Sequence, residues 1–249
     1  MGNTRGPDAT ASEQLRVFGL DEPVEVRRHP TARRMTLRVS RTKRAVIVTL
    51  PMTCNLKQAG QFLTNNIDWV KERLTDMAEP VPFTDSQLIP LRGVPHRIVF
   101  VGPCRGAPVS VAARDDNSYD EIRVAGDFQH APRRLRDWLI AEARADLVQR
   151  SHHHAERLGL KVGRITVRDQ TSRWGSCSSA GNLSYSWRLI LAPPAILDYV
   201  AAHEVAHLRE MNHGPKFWAL VAQTFPQLDE AKQWLQIYGL DLHRYGAQS

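Results

Sequence analysis

The sequence has little cysteine, few aromatic residues and no long apolar run. Its three cysteines, Cys54, Cys104 and Cys177, have no repeated spacing, which argues against a disulfide framework and a four-cysteine zinc site. Aromatic residues make up 7% of the 249 residues, and no segment reaches the roughly 18 consecutive apolar residues of a membrane-spanning helix. The N-terminus lacks the apolar core of a secretory signal. We therefore predict a cytoplasmic protein with no membrane partner.

The remaining composition, 42% hydrophobic and 24% charged, is that of a globular chain with one or two domains. We predict an α+β fold in three parts: a disordered or extended N-terminus over residues 1–20, a small β-rich α/β module over 21–130, and a second domain over 131–249. A helical apolar pattern runs from Leu56 to Leu74 in the module. The second domain opens with a long helix that Gly159 ends.

The 33 basic residues outnumber the 26 acidic ones, which gives a net charge of +7. One stretch contains basic residues and no acidic ones: Arg27, Arg28, Arg33, Arg34, Arg38, Arg41, Lys43 and Arg44. Such a segment can bind phosphates weakly, so a nucleic-acid partner is one interpretation. The other, which we favour, is the solvated face of a half-buried strand, because apolar and polar residues alternate from Arg34 to Val39.

The residues His203-Glu204-Val205-Ala206-His207 form an H-E-x-x-H pattern in a segment predicted to be helical from Pro194 to about Glu210. Four residues of an α-helix advance by about 400° and about 6 Å, so both histidines project from one face and can share a metal ion. Glu204 lies beside them, placed to accept a proton from a metal-bound water. The pattern predicts a catalytic Zn²⁺ site.

A catalytic zinc usually has three protein ligands and one open position. His213 is the preferred third ligand, although an unbroken helix would carry it about 600° around and about 9 Å along the axis. The helix must therefore break first, and Asn212 and Gly214-Pro215 favour a corner there. A carboxylate, Asp229 or Glu230, is the alternative, but both residues also suit an ordinary helix N-terminus.

The sequence gives less support to a functional role for several other residues. Three consecutive histidines, His152, His153 and His154, cannot converge on one ion from a regular helix and are assigned to the surface or to an outer shell. Tyr185 and Tyr199 are candidates for stabilising an oxyanion.

The loop Ser172-Arg173-Trp174-Gly175-Ser176-Cys177 allows two interpretations. The adjoining strand pairs with an extended peptide and presents it to the metal, or Trp174 and Cys177 simply fill the core around a tight turn at Gly175. Cys177 as a fourth ligand is less favoured, because it would close the open position.

Several segments together resemble the YgjP-like metallopeptidase family. They are SRWGSC at 172–177, WRLILAPP at 187–194, YVAAHEVAHL at 199–208 and NHGPKFW at 212–218. The likeness runs from the basic strand near Arg33 to Leu235 and is looser in the N-terminal half. This chain has Gly214 where Ser is common and Val205 where Leu is common.

The resemblance implies a zincin-like second domain with a short antiparallel sheet, related to SprT-like and WLM-type proteases. It implies Zn²⁺ on His203, His207 and His213 with Glu204 as catalytic base. We therefore predict a zinc metallopeptidase in which a zinc-activated water attacks a peptide or protein substrate. The alternative is a nucleic-acid-associated protein in which the basic strand makes the contact and the metal is structural.

Overall fold

The structure is a computed structural model that describes residues 12–15, 20, 24–40, 45–75, 79–115, 118–170 and 172–246. The chain divides into two compact units, Met1–Glu79 and Pro80–Ser249. Of the predicted disordered or extended segment 1–20, Ser12–Leu15 forms a strand, and all of the remainder except residue 20 lies outside the described residues. Helices and mixed sheets occur in both units, which confirms the α+β fold class.

The described part of the first unit forms one sheet and two helices. Its strands are β1 (Ser12–Leu15), β2 (Val24–Arg28), β3 (Thr36–Ser40) and β4 (Ala45–Leu50), and its helices are α1 (Leu56–Thr64) and α2 (Ile67–Thr75). The order is β1-β2-β4-β3, with β2 and β4 parallel. The apolar pattern from Leu56 to Leu74 is thus two helices, because Asn65 and Asn66 form a turn in which the Asn66 side chain donates to the Phe62 carbonyl.

The basic segment shows the alternation that the favoured interpretation predicts. In β3, Thr36 and Arg38 are exposed, while Leu37 and Val39 are half-buried against the core of this unit. The other basic residues fall into four groups: Arg27 donates to both carboxylate oxygens of Glu25, Arg28 donates to the carbonyl of Cys54, Arg33 and Arg34 are exposed, and Arg41, Lys43 and Arg44 lie outside the described residues.

The second unit begins with a four-stranded sheet that packs on a long helix. The strands are β5 (Leu88–Leu91), β6 (Val94–Gly102), β7 (Val109–Ala112) and β8 (Asp120–Ala125), in the order β5-β6-β8-β7, and the helix is α3 (Ala131–Leu158). Ile98 and Ile122 of the sheet and Leu135 and Leu139 of α3 are fully buried in one apolar cluster. The two compact units divide at 79/80, and this shared core lies within the second of them.

Within the described residues, a small sheet and three α-helices follow α3 in the second unit. The strands are β9 (Ile165–Arg168), β10 (Gly175–Cys177) and β11 (Leu183–Ser186), and the helices are α4 (Pro194–Ala206), α5 (Pro215–Thr224) and α6 (Leu228–Tyr238). The order is β10-β11-β9, and β9 runs parallel to β11 while β10 runs antiparallel to it. The sheet is therefore mixed, not antiparallel as predicted.

Among the described residues, no helix is both long enough and apolar enough to cross a bilayer.

Candidate metal centre

The H-E-x-x-H segment lies on α4, a helix that is buried on most sides. Pro194 occupies the first turn, where its missing N–H costs nothing. Val200, Ala201, Val205 and Ala206 are buried around the two histidines. The helix therefore has little freedom to move, and it presents His203 and His207 one turn apart, as their spacing predicts.

The structure brings three imidazoles together. One ligand atom from each of His203, His207 and His213 lies within 4.8 Å of the other two. The Nε2 atoms of His203 and His213 are 3.1 Å apart. Two nitrogens bound to one tetrahedral zinc are expected about 3.4 Å apart, so this spacing is close to that of a shared ion.

His213 reaches the others because α4 ends at Ala206 and the chain turns before α5. The Gly214 N–H donates to the Asn212 carbonyl at 2.7 Å, which tightens the corner. Among the described residues, the three-histidine group includes neither Asp229, Glu230 nor Cys177. The two acids instead lie in the first turn of α6, and the Cys177 thiol donates to the Ser178 carbonyl.

The surroundings orient the rings. The His207 Nδ1–H donates to the Glu210 carbonyl at 3.0 Å, so the Nε2 lone pair is left for a metal. Phe217 contacts all three rings, with centroid distances of 4.9, 4.5 and 4.7 Å to His203, His207 and His213. An aromatic wall of this kind limits solvent access to one side of the site.

The protonation of the histidines also fits a metal. Burial, with smaller contributions from His207 and His213, lowers the pKa of His203 to about 3. Burial likewise lowers the pKa of His207. The buried Nδ1 of His203 has no hydrogen-bond partner among the described residues. Neutral imidazoles with available lone pairs are the form that binds a divalent ion, so the donor set fits one.

Glu204 lies next to this group and is 5% exposed. Burial raises the pKa of its carboxyl to about 8, although Arg173 opposes the shift. Gly175 of β10 packs against it, since a Cβ at position 175 would fall 2.6 Å from both Cγ and Oε1 of Glu204. The contact joins the 172–177 loop to the H-E-x-x-H helix, a proximity that their separation in sequence does not reveal.

The 172–177 loop combines features of both interpretations. The indole of Trp174 stacks on the His243 ring at 5.0 Å and packs beside Gly239, so this residue belongs to the packing interpretation. Strand β10, however, is an edge of its sheet. Arg173 is exposed.

The histidine triplet contributes one structural residue that the sequence did not reveal. His152 and His153 are exposed on α3, as expected. His154 is fully buried, and its Nε2–H donates to Asp198 of α4 at 2.6 Å. Arg150 donates two further bonds to Asp198, at 2.6 and 2.7 Å. The sequence signal for this contact between α3 and α4 was Asp198, a carboxylate flanked by the apolar residues Ile196, Leu197 and Val200.

The two candidate oxyanion residues are both buried. The hydroxyl of Tyr185 is 2.9 Å from the Ser151 hydroxyl, and the side chain is fully buried, so a substrate cannot reach it. Tyr199 is 5% exposed, with its ring edge against His203 at 6.0 Å.

The sequence is similar to a known metallopeptidase family. The sequence profile of the family described as YgjP-like, metallopeptidase domain, matches residues 33–238. Among solved structures, the metallopeptidase zymogen of Pyrococcus abyssi abylysin is similar at a TM-score of 0.34 and 20% identity, over 37% of this chain and 92% of that one. A comparison with curated proteins found no match.

Proposed function

The chain belongs to the YgjP-like metallopeptidase family, and we propose that it hydrolyses peptide bonds with Zn²⁺ held by His203, His207 and His213. Membership of the family implies a metal ion and peptidase activity. The observation that supports zinc at this position is the convergence of three imidazole nitrogens within 4.8 Å beside the buried side chain of Glu204. A zinc ion there would supply Lewis acidity, acidifying a water and polarising the substrate carbonyl.

We assign Glu204 as the general base. Its position directly after His203 in α4 places the carboxylate next to the imidazole cluster without making it a ligand. Burial raises the proton affinity of this carboxyl, and a raised proton affinity suits a group that takes a proton from water and passes it to the leaving amine. Gly175 packs directly against the Glu204 side chain, and a larger residue at position 175 would overlap it.

The edge strand β10 supports the peptide-presenting interpretation. The Ser186 N–H donates to the Trp174 carbonyl, and the Ser178 N–H donates to the Asn182 carbonyl. In an antiparallel ladder, alternate residues direct their backbone N–H and C=O groups to the paired strand, and the residues between them direct these groups away from it. Gly175 and Cys177 therefore direct their N–H and C=O groups to the open edge of β10. A substrate strand paired there would pass directly beside Glu204.

The test compares metal content and hydrolysis in two variants. Glu204→Gln should retain one zinc and lose hydrolysis of casein-derived peptides by at least about 100-fold, because the base is gone while the ligands remain. His207→Ala should lose both zinc and activity. Elemental analysis and a fluorogenic peptide assay measure the two properties.

Matched controls come from α3. Glu156→Gln and His152→Ala change exposed side chains of the same types, and both proteins should keep zinc and full activity. If Glu204→Gln cleaved as fast as the parent, the assignment of the base would be wrong. Zinc bound at full stoichiometry to His207→Ala would contradict the ligand set.

A cytoplasmic location also remains our proposal, supported by the free thiols of Cys54, Cys104 and Cys177. Weak nucleic-acid association through the basic strand is the alternative partner. DNA binding that salt abolishes, and that disappears when Arg33, Arg34 and Arg38 are neutralised, would support this alternative if no peptide were cleaved.

A further inference from the structure

A groove of about 780 Å³ lies over the solvent-facing side of the sheet formed by β9, β10 and β11. Side chains from all three strands line it, among them Thr166, Arg168, Ser176 and Ser184. Residues that alternate with them, such as Ile165 and Tyr185, are buried on the opposite face. The period of two along each strand therefore gives the sheet one apolar face and one polar face.

The groove has a surplus of positive charge. Arg164, Arg168 and Arg173 line it and are exposed, and none of the three has an ion-pair partner within the described part of the chain. The acidic residue among its described lining residues, Asp169, accepts hydrogen bonds from Arg188 at 3.0 and 3.4 Å. Its charge is already compensated, so the three guanidinium groups remain available to an anionic ligand.

The groove and Glu204 lie on opposite faces of β10, one residue apart along the strand. Ser176 of β10 lines the groove, and its neighbour Gly175 touches Glu204. A strand added to the open edge of β10 would project alternate side chains to the two faces of the sheet. The side chains on the face of Ser176 would therefore enter the groove and approach the arginines.

We propose that this groove selects acidic substrates, namely extended peptide segments with Asp or Glu at every second position. The inference rests on the proposed function, because it places the peptide on β10 beside Glu204. The described lining residues include no aromatic side chain on which a base could stack, and this favours a peptide over a single-stranded nucleic acid.

The test measures binding separately from cleavage. The zinc-loaded full chain carrying Glu204→Gln is titrated with a fluorescein-labelled peptide that has Glu at alternate positions, and with its twin in which Gln replaces each Glu. Fluorescence anisotropy should show at least about tenfold tighter binding of the Glu peptide. The preference should shrink as salt is raised, because the arginines are exposed.

The combined Arg164→Gln, Arg168→Gln and Arg173→Gln changes should abolish the preference, whereas Arg144→Gln, which removes an exposed arginine from α3, should preserve it. Equal affinity for the two peptides, or displacement of the Glu peptide by an oligothymidylate of equal charge at lower concentration, would overturn the inference.

A hydrolysis assay of the parent protein on both peptides distinguishes a failure of this inference from a failure of the proposed function. A retained binding preference without any cleavage would contradict the proposed function and support the groove's selectivity. Cleavage of both peptides at equal kcat/KM, with no binding preference, would refute the selectivity alone.

Discussion

At the scale of single residues, the contact between Gly175 and Glu204 links two motifs that are far apart in sequence. A glycine is often required because it can adopt a positive φ, but the φ of Gly175 is not in the left-handed region. The requirement at this position is for space, since a Cβ on residue 175 would overlap the Glu204 carboxyl group. The glycine therefore sets the position of the proposed base from outside the H-E-x-x-H helix.

Gly175→Ala should lower kcat/KM by about 100-fold while leaving zinc content unchanged, because the methyl group would displace the Glu204 side chain by the order of an ångström. Gly214→Ala is the matched control. A Cβ at Gly214 would meet nothing within 4 Å, and its φ of −82° suits alanine. Full activity in Gly175→Ala would show that this contact does not position Glu204.

At the scale of elements, α4 is held to α3 by charged groups as well as by apolar packing. Asp198 accepts three hydrogen bonds from α3, one from His154 and two from Arg150. Burial alone would raise the pKa of Asp198, but these hydrogen bonds outweigh it and the pKa is lowered. The carboxylate is thus ionised in the folded protein, and it anchors the helix that carries two of the histidines.

Asp198→Ala should lower the free energy of unfolding by about 2 kcal/mol, because it leaves the buried His154 and the Arg150 guanidinium without their shared partner. Urea unfolding at constant excess zinc measures the effect. Asp198→Asn, which keeps one acceptor oxygen, should lose less. The exposed Asp137 of α3 provides the control, and an equal loss in Asp137→Ala would contradict a specific tie.

At the scale of the whole molecule, the residues of the metal centre and the groove all belong to Pro80–Ser249. The apolar cluster of this unit includes Ile98, Ile122 and Val124 from the sheet that precedes α3. A domain that began at residue 131, where the long helix is predicted to start, would lack these residues and would expose the apolar face of that helix.

Fragment 80–249 should therefore fold cooperatively and bind zinc, and fragment 131–249 should not, because the second lacks a large part of its core. Circular dichroism thermal melts and zinc stoichiometry compare the two fragments. A cooperative melt of 131–249 with bound zinc would show that the β5–β8 sheet is dispensable.

The sequence by itself determined the features that depend on short spacing. The α+β class and most helix and strand positions follow from apolar periodicity, and the period of the α-helix brings His203 and His207 to one face. The need for a corner before His213 also followed from the sequence, since Gly214-Pro215 cannot extend a helix. The family resemblance, which the profile match to residues 33–238 confirms, rested on the same local motifs.

Only the tertiary structure decided which distant segments meet. The approach of Gly175 to Glu204, the tie from His154 to Asp198 and the convergence of Arg164, Arg168 and Arg173 on one groove involve residues on different elements. The unit boundary and the parallel pairing of β9 with β11 are likewise contacts between segments. Periodicity assigns a side chain to a face of its own element, whereas the partner of that face is set by packing of the whole core.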